Sequence, residues 1–521
     1  MKNITLLKAK VGILAVSCLS ITALFACVDK DARSDLNPNL PTDQAQNGDF
    51  GDQGEGSDQG LNFPVFDDGV LAFPGAEGYG KNVTGARAGE GREIYHVTNL
   101  NDAGPGSFRD AVSKPWRIIV FDVSGVIKLS SNPIVLKSNQ TILGHTAPGD
   151  GIVLYNGRVS ASGAQNLIVR YLRIRMGAAY PSELDACGIA NGANMIFDHC
   201  SMTWGKDECF SINPDGKGTA PKNITIQNSI IGQGLQNHSC GGLMQTDISN
   251  GCTIFRNLYI DNKTRNPKVK GLNQFVNNVV YNWGSGAAYN MSGDSQGKSE
   301  TTIENNYFIV GPCHNWQNVA QPDGSIKTEY VPMNPARPFT GGNGNFNTYC
   351  KGNYYDNNKD GALDGVEITE TNWSQYCSGS PVFLEARSDL HPIIRSQKSA
   401  QEAYEWVVEK VGAYLPVRDE VDKYLMDELI SLGRKGTIIQ DERKAEQFPL
   451  GGPGTINAAQ KPLDSDNDGM PDAFEDAWGL DKYDSTDAVK EAKNGYLNIE
   501  NYALSLEYPD EYEYELNKNK Q

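Results

Sequence analysis

The chain is 521 residues long and carries 46 lysines and arginines against 64 acidic residues, a formal net charge of −18 at pH 7. That length allows one large domain with appendages, and the acidic balance sets no expectation of a nucleic-acid partner. Its 55 glycines and modest content of helix formers favour short strands and turns and argue against an all-α fold.

In chain order, the first residues read as a secretory signal: Lys2 and Lys8-Ala-Lys10, an apolar stretch from Val11 to Phe25, then Leu24-Phe-Ala-Cys27. The last four resemble a bacterial lipoprotein lipobox, which implies cleavage before Cys27 and a lipid on it. Asp29 and Asp31 are compatible with export to the outer membrane of the cell envelope. No later stretch approaches about 20 uninterrupted apolar residues, so the lipid is the expected membrane attachment. Residues 28–68, rich in Asp, Gly, Gln and Pro, have too few large apolar side chains to offset the entropy of ordering and are expected to be a flexible tether.

Between about Ile118 and Val310, β-rich runs recur roughly 20 to 30 residues apart. They include Thr141-Ile-Leu, Leu167-Ile-Val-Arg-Tyr-Leu-Arg-Ile, Met195-Ile-Phe-Asp-His, Ile224-Thr-Ile-Gln-Asn, Thr253-Ile-Phe-Arg-Asn and Thr302-Ile-Glu-Asn-Asn. The period fits one coil of a right-handed parallel β-helix, and the fold class expected is all-β with a helical C-terminal extension. Asn228, Asn257, Asn278 and Asn306 fall after successive runs and predict a stacked polar ladder, with His199 as its member one coil earlier rather than a catalytic base. Helical periodicity follows at Ser399–Val411 and at Arg418–Ile430, with Gly433 as a stop. Eight cysteines remain beyond Cys18 and Cys27; their spacings form no zinc framework, and both disulfides and buried thiols stay open.

The segment Arg265-Asn-Pro-Lys-Val-Lys-Gly271 puts three cations around one proline in this acidic chain, and Glu183, Asp185 and Asp207 stand in the same third of the sequence. Fixed positive charge beside hard oxygen ligands suggests an acidic substrate held with a divalent ion. Further motifs are Phe73-Pro-Gly-Ala-Glu-Gly-Tyr-Gly80, Ser107-Phe-Arg-Asp-Ala111, Phe197-Asp-His-Cys-Ser-Met-Thr-Trp204 and Asp207-Glu208. In their order and spacing they resemble the pectate lyases of polysaccharide lyase family 1, over about Phe73 to Cys313. The helical tail to about Pro449 is similar to Bacteroidetes-type members.

The resemblance implies β-elimination on a uronate: a base takes the C5 proton, the C4 oxygen leaves, and Ca²⁺ with cationic side chains stabilises the carbanion. By motif position Arg265 matches the catalytic arginine, acting as the Brønsted base. Because free Arg is not deprotonated in proteins, crowding by cations and Ca²⁺ is expected to make its neutral form accessible. Lys270 takes the second basic position and would bind a substrate carboxylate. Where the family has a lysine after Ile231, His238 is the nearest basic residue and reads either as a substrate contact or as a turn cap; Lys268 reads as a substrate contact or a solvated loop cation. Asp185, Glu183 and Asp207 match calcium ligands, with Glu183 and Asp185 expected on one strand face. Ser211 stands where many members carry another aspartate, and Glu208 is a possible substitute. As neighbours on a strand, Asp207 and Glu208 are expected to point to opposite faces and not to form an acid/base pair. Trp204, Trp283 and Trp316 are expected to pack rather than stack on sugars.

Asp464-Ser-Asp-Asn-Asp-Gly-Met-Pro-Asp-Ala-Phe-Glu475 fits the twelve-position calcium loop in full. Asp464, Asp466, Asp468 and Glu475 would ligate by side chain, Met470 by its carbonyl and Asp472 through water, as a structural clip. The organisation expected is a signal over 1–27, a tether over 28–68, a β-helix over 69–380, helices over 381–455 and a calcium-loop segment over 456–521. The function expected is that of a monomeric pectate lyase acting on an acidic plant polysaccharide. A lyase for methyl-esterified pectin and a silent polysaccharide-binding β-helix are the alternatives.

Overall fold

The computed structural model describes residues 69–513 apart from 131, 285–286, 292–297, 335–336 and 343; the signal with Cys27 and the tether over 28–68 lie outside the described residues. Successive coils of one parallel β-helix feed three sheets. Sheet 1 has eleven strands from Glu93–Val97 to Val382–Phe383, sheet 2 eight from Ile134–Val135 to Phe339–Gly341, and sheet 3 ten from Gly125–Lys128 to Val366–Ile368. Pairing between coils is parallel, with Val366–Ile368 added antiparallel at the edge of sheet 3, and register is set by inward side chains stacking on like neighbours. In sheet 1, Ile142, Val169, Phe197, Ile226, Ile254, Phe275 and Ile303 form one buried column.

Strand Arg117–Phe121 is buried throughout, which explains why the sequence shows continuous apolar runs instead of alternation. Ile119 and Phe121 face the coil interior, while Ile118 and Val120 face outward into a second core. That outer core is completed by the C-terminal segment, through Met470, Phe474, Leu497, Ile499 and Leu504.

The polar ladder is present but occupies two adjacent rows where one was expected. One row supplies residues with positive φ: Tyr171, His199, Asn228, Arg256, Asn277 and Asn305. The next residue of each coil makes the ladder: the backbone N–H groups of Ser229, Asn257, Asn278 and Asn306 donate to Asn257, Asn278, Asn306 and Asn353 Oδ1 in turn, at 2.7–3.1 Å. Asn228 therefore belongs with His199 and not with Asn257. Each such bond satisfies a backbone donor that the turn would otherwise leave orphaned, a net gain of about 1 kcal/mol. His199 is buried, its ring stacked on Tyr171 at 4.8 Å and its Nδ1 3.2 Å from the Gly412 carbonyl. Its place is structural.

Helix Ala400–Lys410 begins with the Ser399/Glu402 capping box, and helix Glu420–Leu429 begins at the Asp419 cap. Both lie on the outer face of sheet 3, where Tyr404, Val407, Leu425 and Leu429 bury Ile230, Leu258, Ile260 and Val279. All eight cysteines from Cys187 to Cys377 are buried free thiols. No helix among the described residues is long and apolar enough to cross a membrane.

Candidate active site

The loops that enter four successive strands of sheet 2 carry the chemistry. They precede Cys187–Ile189, Phe210–Ile212, Leu243–Gln245 and Lys268–Lys270. Parallel bridges Glu208↔Cys240 and Cys240↔Thr264 align these loops, so residues from distant points of the sequence share one edge of the coil. Arg265, in a left-handed turn with φ 57°, sends its guanidinium back to the preceding coils. Its Nη1 is ion-paired directly with Glu208 Oε1 and lies 3.8 Å from Asp207 Oδ1. His238 Nδ1 is 3.2 Å from the same Asp207 oxygen. Asp185 Oδ1 accepts from the Glu208 backbone N–H at 3.3 Å, and its other oxygen lies 4.0 Å from Arg158.

Glu208 is the buried centre of this group, 2 % exposed. Burial, then the neighbouring Asp185 and Asp207 carboxylates, push it up to about 9 despite Arg265. Burial likewise raises Asp185. Such mutual repulsion among hard oxygen donors is relieved by a divalent cation, so the residues fit calcium. For Arg265, burial acts to lower the value, but Cys240, Glu208 and Asp207 outweigh it and hold the guanidinium above its ordinary range. The expectation of a crowd of cations around Arg265 is thus corrected: its immediate neighbours are carboxylates.

Two further expectations change, and Ser211 finds a structural place. Residues 183–185 form no strand, so Glu183 and Asp185 do not share a strand face; Glu183 is 63 % exposed at its side chain and pairs with Lys206 at 3.3 Å. Asp207 and Glu208 sit in the bend before their strand and both turn to Arg265, where strict alternation predicts opposite faces. Ser211 is buried, and its Oγ accepts from the Leu243 backbone N–H at 3.1 Å, a tie between coils.

Lys268 and Lys270 flank the buried Val269 and point outward from sheet 2, with Lys270 beside Gln245 of the preceding coil. The absent lysine has a partial counterpart: Lys263 Nζ donates to the Asn237 carbonyl at 2.6 Å, reaching the His238 loop from the next coil. Its signal was present in sequence, two residues before Arg265, but nothing local predicts that coil stacking would bring it there. Trp204 and Trp283 are fully buried, and Trp316 packs against Tyr330 of its hairpin at 5.3 Å.

A second acidic cluster lies on the far segment. Asp464, Asp466 and Asp468 have carboxylate oxygens within 4.8 Å of one another, and Asp468, Glu475 and Asp487 form an adjoining group. Burial and mutual repulsion push Asp468 up to about 7 and Glu475 up to about 8. Asp472 stays out of both groups.

The pectate lyase family model matches residues 74–354, which span Asp185, Asp207, Glu208, Arg265 and Lys270. A probable pectate lyase C of Aspergillus fumigatus is 48 % identical over 437 residues, covering 84 % of this chain and 94 % of that protein. Its counterpart in Aspergillus flavus is 47 % identical over 448 residues, covering 86 % and 96 %. Pectate lyase C of Erwinia chrysanthemi, solved with Ca²⁺, aligns at a TM-score of 0.37 and 15 % identity over 66 % of this chain and 98 % of its own. The family match and the sequence relatives carry the assignment, and the chain belongs to the pectate lyase family.

Proposed function

We propose that this lyase cleaves pectate by calcium-assisted β-elimination at the Arg265 site, and the observation that carries the reading is Arg265 held by Glu208 and Asp207 beside Asp185. Asp185, Asp207 and Glu208 would hold calcium, which supplies charge to offset the substrate carboxylate and the carbanion that forms beside it. Glu183, exposed and engaged by Lys206, is left out of that set.

Arg265, once it has given its own proton to water, takes the C5 proton while the C4–O bond breaks and a C4–C5 double bond forms, and the departing oxygen takes a proton from water. The ion pair of Arg265 with Glu208 has to be released first, because a guanidinium paired with two carboxylates holds its proton. Lys270, with Lys268 on the same outward strand face, holds the uronate carboxylates as point charges. His238, exposed and beside Asp207, contacts the sugar next to the cleavage point. A fully methyl-esterified polymer offers no carboxylate to these groups, so pectate is the preferred substrate.

The loop over Asp464–Glu475 would act as a separate structural calcium clip. Attachment to the cell envelope through lipid on Cys27 is supported by Leu24-Phe-Ala-Cys27, and the chain would act as a monomer.

The test is ultraviolet absorbance of the unsaturated uronate product on pectate and on methyl-esterified pectin, each with calcium or with EDTA. Pectate with calcium is expected to give product and the other three conditions little. Chelator-resistant activity that favours the ester would overturn the calcium mechanism, and no product from either polymer would overturn the lyase.

A further inference from the structure

The twelve-residue loop does not bring all its carboxylates to one point. Asp472, its ninth position, turns away: its carboxylate accepts from the Ser465 backbone N–H and hydroxyl, each at 2.8 Å. A residue outside the loop stands in its stead. Asp487 lies with Asp468 and Glu475 in a group whose ligand oxygens are all within 4.8 Å, and Asp468 joins that group to Asp464 and Asp466. Glu475 is 0 % exposed, Asp468 3 % and Asp487 4 %. No hydrogen-bond donor reaches either carboxylate oxygen of Asp466 or Glu475, Asp468 Oδ2 or Asp487 Oδ1. Buried carboxylates without donors call for a cation among them.

We propose that Asp487 is a ligand of the divalent cation in this loop, and that the ion fastens the C-terminal segment to the outer face of sheet 1. This rests on the reading of Asp464–Glu475 as a cation loop. Asp487 is well placed to transmit the fastening. Its second oxygen accepts from the Asp481 backbone N–H at 3.1 Å, and its carbonyl accepts from Asn498 Nδ2 at 2.9 Å, at the first turn of helix Asn498–Glu507. The ion would thus tie three stretches: the loop, the turn over 481–487 and the start of that helix.

The loop is also seated on the coil. Gly469, with φ 94°, has no room to spare: a Cβ there would lie 3.2 Å from Ile499 Cδ1 and 3.3 Å from Val120 Cγ2. Met470 and Phe474, which flank the remaining ligands in sequence, share the outer core with Ile118, Val120, Leu143 and Ile168 of the coil. Loss of the ion would free the like charges to separate, and the apolar contacts on sheet 1 would have to yield with them.

The experiment compares the thermal midpoint and the calcium binding isotherm of the full chain with those of Asp487→Asn, Asp472→Asn and Asp466→Asn. With calcium, Asp487→Asn is expected to lower the midpoint and to weaken binding at this loop by more than about tenfold. In EDTA the same variant is expected to match or exceed the wild type, because one repelling charge is gone. Asp472→Asn should leave the calcium-dependent rise in midpoint intact. An equal loss of midpoint in calcium and in EDTA would make Asp487 merely structural and overturn the proposal. So would wild-type calcium binding in Asp487→Asn together with weakened binding in Asp466→Asn. Wild-type behaviour of Asp466→Asn in both measurements would instead overturn the loop reading itself.

Discussion

Around Arg265 every carboxylate of the cluster has a basic side chain within reach: Glu208 and Asp207 share the guanidinium, His238 stands by Asp207, and Arg158 approaches Asp185. In the C-terminal loop, Asp466 and Glu475 have no hydrogen-bond donor at all, and Lys461 reaches only the margin, at Asp464. The first cluster has the protein's own cations beside it and is partly open, with Arg265 32 % exposed at its side chain. In the proposed mechanism those cations give way to substrate and ion in each turnover. The second is closed around unmatched negative charge, which suits an ion that stays. On the proposed reading, similar residue types serve chemistry in one place and fastening in the other, and the surrounding charges decide which.

That contrast can be broken at several points. The largest expected effect is on Arg265→Lys, which removes the forked guanidinium and should cut kcat on pectate by about 10²- to 10³-fold, with an unchanged thermal midpoint. Turnover within a fewfold of wild type would remove Arg265 from the reaction. Next, Glu208→Gln should raise the calcium concentration needed for half-maximal turnover by about 10- to 100-fold. Because it takes one charge out of a repelling group, it should not lower the midpoint in EDTA; an unaltered calcium requirement would exclude Glu208 as a ligand.

A pH series sharpens the same comparison. In the loop, Asp468 at about 7 and Glu475 at about 8 lie above the roughly 3.9 and 4.3 of unfolded carboxylates. Raised folded-state values mean that the folded cluster binds more protons than the unfolded chain. Its contribution to stability is present below about pH 4 and is lost as pH rises to about 8. In EDTA the midpoint should thus fall between pH 5 and 8, and the rise given by calcium should widen over that range. A calcium effect independent of pH would contradict this. The smallest effect is expected for Glu183→Gln, with kcat and calcium requirement within about twofold of wild type, since an exposed ion pair contributes little.

Much of the fold was legible because it is periodic. Runs such as Met195-Ile-Phe and Ile224-Thr-Ile recur at the coil spacing, and the Asn257–Asn278–Asn306 ladder leaves its mark in the sequence. The offset of Asn228 was not legible, since one residue's shift between two adjacent rows depends on how each turn closes. At the site, Arg265, Asp185, Asp207 and His238 are indeed brought together. The turn of Glu208 toward Arg265 was not legible because strand alternation was applied to a bend, nor was the exposure of Glu183, because a strand was assumed where the chain is irregular. Lys263 and Asp487 reach their clusters through stacking and turn geometry that no local motif encodes.

The separation of the two clusters is tested most directly by one calcium titration, following turnover on pectate and thermal midpoint on the same preparations of Arg265→Ala and Glu475→Gln. Arg265→Ala is expected to lose turnover by about 10³-fold yet keep the calcium-dependent rise in midpoint. Glu475→Gln should lose that rise yet turn over normally at saturating calcium well below its midpoint. Loss of both properties in both variants would contradict the division of chemistry from fastening.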